Sequence, residues 1–189
     1  MRRRLLVALS VSILALMANS CNEKEIHSAK VIDSTVEGLE YQCAGFIKYT
    51  PKDGSIKCYH LPLGFKVGEI KIGVVYNVPA DELIFPQDML GVERTNFANK
   101  DVQKLTMLLQ SVDSDNNASN GITITKETRE KLNDFIDLKE TSLAELKDYL
   151  RAKLNKNLVS QKQALKHLYQ SMREYNALPK NFIIEELEQ

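Results

Sequence analysis

Phe65-Lys66-Val67-Gly68-Glu69-Ile70-Lys71-Ile72-Gly73-Val74 is the stretch that decides the fold class. Phe65 and Val67 stand two residues apart, and so do Ile70, Ile72 and Val74, in a phase shifted at Gly68. Period two is strand spacing, and a glycine at a change of phase marks a bulge or a strand break. Upstream, Leu39, Tyr41 and Cys43 share one face of a strand, and Ile56 and Cys58 share another. Pro51-Lys52-Asp53-Gly54 lies between these runs with the chemistry of a tight turn. Pro62, Gly64, Gly73 and Pro79 punctuate the rest. Short strands at this spacing predict a small antiparallel β-sandwich or sheet over residues 36–80.

Beyond Pro79 the period lengthens. Val102, Leu105, Leu108, Leu109 and Val112 fall on one helical face. Thr125 is placed to cap a second helix carrying Leu132, Phe135 and Ile136. Ser142-Leu143-Ala144-Glu145 and Ser160-Gln161-Lys162-Gln163 read as capping boxes. The first opens a helix with Leu146, Leu150 and Leu154, the second one with Ala164, Leu165, Leu168 and Met172. Pro179 starts a tail whose Phe182-Ile183-Ile184 is suited to dock on the body. The chain therefore predicts an α+β fold. Residues 81–125 are a connector with one helix and an Asx-rich loop, and residues 126–189 a helical region, giving a bundle of about three to four helices.

The N-terminus carries an address. Arg2, Arg3 and Arg4 precede a short apolar run from Leu5 to Ala18, and small residues lead into Cys21. About 20 apolar residues are needed to span a bilayer, so residues 1–20 read as a cleavable signal peptide. Leu16-Met17-Ala18-Asn19-Ser20-Cys21 resembles a bacterial lipobox, which implies lipidation of Cys21 and a membrane-anchored envelope protein. Ala18-Asn19-Ser20 equally suits ordinary signal peptidase, which would leave a soluble secreted or periplasmic chain. Residues 22–35 are polar and read as a tether after Cys21, reaching roughly 20 Å as a flexible chain.

Three cysteines sharpen this reading. With Cys21 lipidated, Cys43 and Cys58 remain on strands whose inward faces match, and a disulfide between them is expected in an oxidising compartment. Two buried free thiols are the alternative. The whole chain has 25 basic and 25 acidic residues, yet the signal holds three of the arginines and no acid. The remainder is mildly acidic, so nothing marks a nucleic-acid binder.

A wider resemblance covers roughly residues 36–125. Val36-Glu37-Gly38-Leu39-Glu40-Tyr41, Cys43-Ala44-Gly45, Asp53-Gly54 and Cys58 resemble carboxypeptidase-regulatory-like β-sandwich repeats of bacterial secreted proteins. Leu108-Leu109-Gln110-Ser111-Val112-Asp113-Ser114-Asp115-Asn116-Asn117 is similar to a segment that follows such sandwiches in bacterial lipoproteins. The resemblance implies architecture and an envelope location, not an activity.

Chemical constellations are sparse. Asp113, Asp115 and Asn117 alternate oxygen ligands as at the start of a calcium loop, which makes them the candidate metal site. Ala118 and Ile124 occupy the places where an EF-hand has Gly and the closing Glu. The other reading is an Asx-rich connector that stabilises turns. His27 falls in the tether, His60 on a strand and His167 at a surface position of the last long helix. No phosphate loop, nucleophile elbow, dinucleotide fingerprint or metalloprotease motif occurs, and no catalytic residue is nominated. The expected function is a non-enzymatic envelope lipoprotein that binds or scaffolds an envelope protein or peptide through its helices. A small envelope hydrolase or inhibitor is the alternative.

Overall fold

A computed structural model describes residues 26–188. The signal, Cys21 and residues 22–25 lie outside the described residues. The α+β expectation holds, with most strands before residue 85 and most helices after it. Strands β1 (His27–Val31), β2 (Val36–Glu37), β3 (Glu40–Cys43), β4 (Phe46–Tyr49), β5 (Ser55–Cys58), β6 (Leu63–Val67), β7 (Ile70–Val75) and β8 (Leu83–Ile84) come first. They are followed by α1 (Pro86–Leu90), α2 (Lys100–Val112), β9 (Ile122–Thr123), α3 (Lys126–Lys131), β10 (Ile136–Asp137), α4 (Leu143–Leu154), α5 (Gln161–Glu174) and α6 (Glu185–Glu188). One sheet runs β10-β7-β6-β3-β4, a second β5-β1-β8, and β2 pairs with β9.

The decisive stretch forms a hairpin. Gly68, at φ 60, sits in the turn between β6 and β7, and the register slips once between Phe65 and Lys66. Strand break and bulge are thus two separate features. Leu63, Phe65 and Val67 are buried, as are Ile70 and Ile72 on the partner strand, whereas beyond Gly73 it is Val75 and not Val74 that is buried.

Several expectations are corrected. Within the polar run 22–35, His27–Val31 form a strand in which Ala29 and Val31 alternate inward, and β1 becomes the centre of a sheet. His27 is therefore half-buried on a strand. Pro51–Gly54 does turn the chain, but β5 pairs with β1 rather than β3. The partner of β3 is β4, which the sequence reading passed over. The two are joined through Ala44 and Gly45 at φ 52 and 84, the pattern of a type I′ hairpin. Thr125 caps α3 through Thr128 N, yet that helix ends at Lys131. Leu132 is buried, Phe135 is exposed, and Ile136 joins the sheet beside Ile70.

Of the two expected capping boxes the first forms in full and the second only in its serine half. Ser142 and Glu145 close a full capping box on α4, and Ser160 Oγ accepts from Gln163 N at the start of α5. Core residues from both halves of the chain form one hydrophobic cluster. Its axis is α2, buried on nearly every side because α5, α1 and β9 surround it. Fully burying each of Leu105, Leu108 and Leu109 contributes about 1.5–3 kcal/mol.

One close approach fixes how α1 lies on the sheet. A Cβ on Gly73 would stand 2.1 Å from the Met89 carbonyl oxygen, a backbone atom that cannot rotate away. Gly73→Ala is therefore expected to cost about 1–3 kcal/mol by urea denaturation. Gly64→Ala is the matched control. Its new methyl would meet only the Gln42 side chain, at 3.8 Å.

Candidate functional site

Two places in the fold bring chemistry together. The first is the outer face of the five-stranded sheet. Directly opposed residues on antiparallel strands point to the same face. Gln42 opposes both Ile47 and Gly64, and Gly64 opposes Val74, so these four make one row across four strands. Because Gly64 has no side chain, the row is hollowed into a groove of about 420 Å³. Ile47 and Phe135 border it, with Glu40, Lys66 and Lys71 toward one end. The Glu40 carboxylate accepts from Gly68 N, and burial pushes its pKa above the usual range against that bond and the Lys66 charge. Lys71 pairs with Asp137 at 2.7 Å and Lys66 with Glu69 at 2.9 Å.

This face ends in a free edge. β4 has a neighbour on one side only, and all four of its residues are exposed. In a two-residue hairpin Cys43 and Phe46 exchange hydrogen bonds, and the alternation then turns the backbone groups of Phe46 and Lys48 toward β3. Ile47 and Tyr49 direct theirs outward. Arg129 stacks on Tyr49, its guanidinium carbon 4.4 Å from the ring centre, which holds that end of the strand in place.

The second place is a buried polar cluster joining the β1–β2 loop to α2 and α5. Asp33 is fully buried, and both its carboxylate oxygens lie within 3.3 Å of Gln110 Nε2. Gln110 also donates to the Ala164 carbonyl, and Ser34 N donates to Ser171 Oγ. His167 Nε2 lies 3.1 Å from Ser34 Oγ, 3.3 Å from the Asp33 carbonyl oxygen and 3.9 Å from the Asp33 carboxylate. His167 is thus a partly buried anchor and not a surface residue. Burial pushes the Asp33 carboxyl up to about 7, opposed by the Gln110 hydrogen bond. Burial also pushes His167 below its ordinary value, opposed by its bond to the Asp33 carbonyl and by Glu174. Both groups favour their neutral forms, so the contact is a hydrogen-bonded junction rather than an ion pair.

Ser34 and His167 stand at the distance of a nucleophile and its base, and the Asp33 carbonyl, which only accepts, competes with Ser34 Oγ for the same ring nitrogen. A proton on Nε2 satisfies that carbonyl and leaves the serine facing an N–H instead of a lone pair. An orienting carboxylate belongs on the other ring nitrogen, and Asp33 faces this one.

Asp113, Asp115 and Asn117 are indeed brought together, as an Asx-rich turn. Asp113 accepts from Asn117 N and Thr123 N at 2.8 Å each, while Asp115 accepts from Asn117 N and Asn120 Nδ2 at 2.9 Å each. These oxygens face donors of their own loop, a use that stabilises the turn. Among the described residues no group of three or more His, Cys, Asp or Glu is placed to hold a metal. His60 follows β5 in a bend, its N–H directed at Cys58 Sγ. Cys43 and Cys58 form the expected disulfide, with Cα atoms 5.7 Å apart.

Sequence reasoning missed β4 and the Asp33 cluster. Phe46-Ile47-Lys48-Tyr49 is a short β-prone run after Ala44-Gly45, and that was the available signal. Gln110 inside the apolar face of α2 was another, since a polar residue there needs a partner. Asp33 sat in a polar stretch and carried no signal.

The fold and this surface define a mixed α+β protein with an open sheet face. Comparison of the chain with protein-family models, with curated proteins and with solved structures finds no match. Among the described residues no helix is long and apolar enough to cross a membrane. A disulfide of this kind persists in oxidising compartments.

Proposed function

We propose that this chain is a non-enzymatic cell-envelope lipoprotein, anchored through Cys21, that binds an extended segment of another envelope component along β4. The observation that carries the reading is the unpaired outer side of β4 next to the groove. An exposed sheet edge offers a row of unpaired N–H and C=O groups, and strand addition uses such a row for affinity and a neighbouring pocket for specificity. The helical faces offer less, because Leu146, Leu150, Leu165 and Leu168 are buried in the core. Leu143 is exposed and Leu154 half-buried. The hydrolase alternative comes nearest at Ser34 and His167, where Asp33 crowds the same ring nitrogen as the serine instead of orienting the ring from the other one. Calcium is no part of the proposal, since the oxygens of Asp113 and Asp115 already accept from the loop's own N–H groups.

The test is a photo-crosslinking residue at Ile47, with a second at Leu143 on α4 for comparison, in envelopes of the native host. Crosslinks to an envelope protein are expected at position 47, and Ile47→Pro assayed from a crosslinker at Tyr49 should abolish them. Proline there removes an outward N–H and leaves the β3 ladder intact. Crosslinking confined to position 143 would move the contact surface to the helices.

A further inference from the structure

The exposed apolar side chains are unevenly placed. Ten large ones are exposed among the described residues, and five of them (Ile26, Phe46, Ile47, Tyr59 and Tyr76) gather at one end of the molecule. Strand register puts them there. Cys43 opposes Phe46 at the β3–β4 turn, Gln42 opposes Gly64, and Leu63 opposes Val75, so Tyr76 leaves β7 at that same end. The disulfide draws Cys58 to Cys43 and brings Tyr59 with it. His27 opposes Cys58, so Ile26 lies there too. Phe46 and Tyr76 are more than 70% exposed, although aromatic rings of this size are usually at least partly covered.

Ile26, the first described residue, thus lies at this same end. Segments 44–48, 57–62 and 75–78, which build most of the patch, contain Lys48 and Lys57 and no Asp or Glu, while Glu23, Lys24 and Glu25 precede Ile26 in the sequence. Ile26 stands five residues after Cys21, and five residues span at most about 17 Å when fully extended. The ordering of β1 shortens the tether that the sequence suggested, so the body of an anchored chain stays near the bilayer.

We propose that this end is a membrane-docking face, with Phe46, Tyr59 and Tyr76 seated among lipid headgroups and Lys48 and Lys57 beside them. The inference rests on the lipid-anchored reading of Cys21. The tyrosine rings, each with one polar end, favour the membrane interface, the wholly apolar ring of Phe46 gains by leaving water beside them, and lysines reach anionic headgroups on flexible apolar stems. Docking would orient the sheet with its Val75 end at the lipid and its Ile70 end outward. The Phe135 end of the groove would then face the aqueous side, where a partner arrives.

The chain contains no tryptophan, so single substitutions report single positions. The experiment uses the full chain purified from its native host as Phe46→Trp, Tyr76→Trp and Phe135→Trp. Intact mass is recorded first, and each protein is then reconstituted into phosphatidylethanolamine–phosphatidylglycerol vesicles with brominated acyl chains. Emission of the first two is expected to shift to shorter wavelength and to be quenched by the brominated lipid, while Phe135→Trp keeps its emission. An N-terminal cysteine without acyl mass would overturn the anchored reading and the docking face with it. An acylated chain in which all three positions respond alike would overturn the docking face alone. So would a blue shift at Phe46→Trp without quenching, because the patch would then be covered by protein, such as a second copy, and not by lipid.

Discussion

Asp33→Asn is expected to stabilise the protein at pH 8 by an amount on the order of 4 kcal/mol and to have little effect near pH 4. The reason is the position of the wild-type carboxyl, buried in the junction between the β1–β2 loop and α5, with its pKa raised from 3.8 to about 7. Between those two values the unfolded chain has lost a proton that the folded chain still holds. Folding therefore takes up a proton, and rising pH opposes it. The contribution is fully present below about 4, declines through the window and is gone above about 7. Asparagine keeps the carbonyl that accepts from Gln110 and places an N–H₂ where the acid carries its O–H, so it imitates the protonated form.

His167 slopes the other way. Its folded pKa is lowered from 6.5 by burial, so stability is lost as pH falls below that value and the unfolded chain protonates first. In the wild type the two slopes partly cancel, and the difference between variant and wild type isolates Asp33. The measurement is urea denaturation of both proteins from pH 4 to pH 8. A difference that stays constant across this range would show that Asp33 does not titrate there.

The Cys43→Ala/Cys58→Ala double variant is expected to lose about 3 kcal/mol, since the bridge closes a loop with a sequence separation of 15. For a chain of this size that corresponds to roughly 6–12 °C in Tm. The bridge ties the end of β3 in one sheet to the end of β5 in the other, and both cysteines are buried. Alanine avoids placing an unpartnered hydroxyl in that interior. Calorimetry of the variant against wild type, each with and without reductant, reads the effect. Reductant should lower the wild-type Tm toward that of the variant and leave the variant unchanged. Equal Tm values under oxidising conditions would show that the packing of the two sheets, and not the bridge, holds this corner.

Local chemistry was legible in the chain. Alternating apolar residues announced β3, β5, β6 and β7, because a half-buried strand must send every second side chain inward. Ser142 and Ser160 announced the starts of α4 and α5, because the first N–H groups of a helix need an acceptor. Matching inward faces announced the disulfide. The open groove had no such signature. It depends on Gly64 lying beside Gln42 and Val74, a coincidence of register that no single strand displays.

The α+β class and the covalent staple were thus determined by sequence alone, since both follow from spacings within a few residues. Which strand partners which, and which side chains are left outside, was decided by tertiary structure. β1 recruits β5 and leaves β4 as an edge, and β9 and β10 return from the helical half to complete sheets begun a hundred or fewer residues earlier. Asp33 shows the same division at one residue. Its position in a polar run implied solvent, but Val31 and Ile32 before it and Val36 after it are driven inward and carry it with them. Burial then changes its proton affinity, and burial is a property of the assembled core that no local spacing encodes.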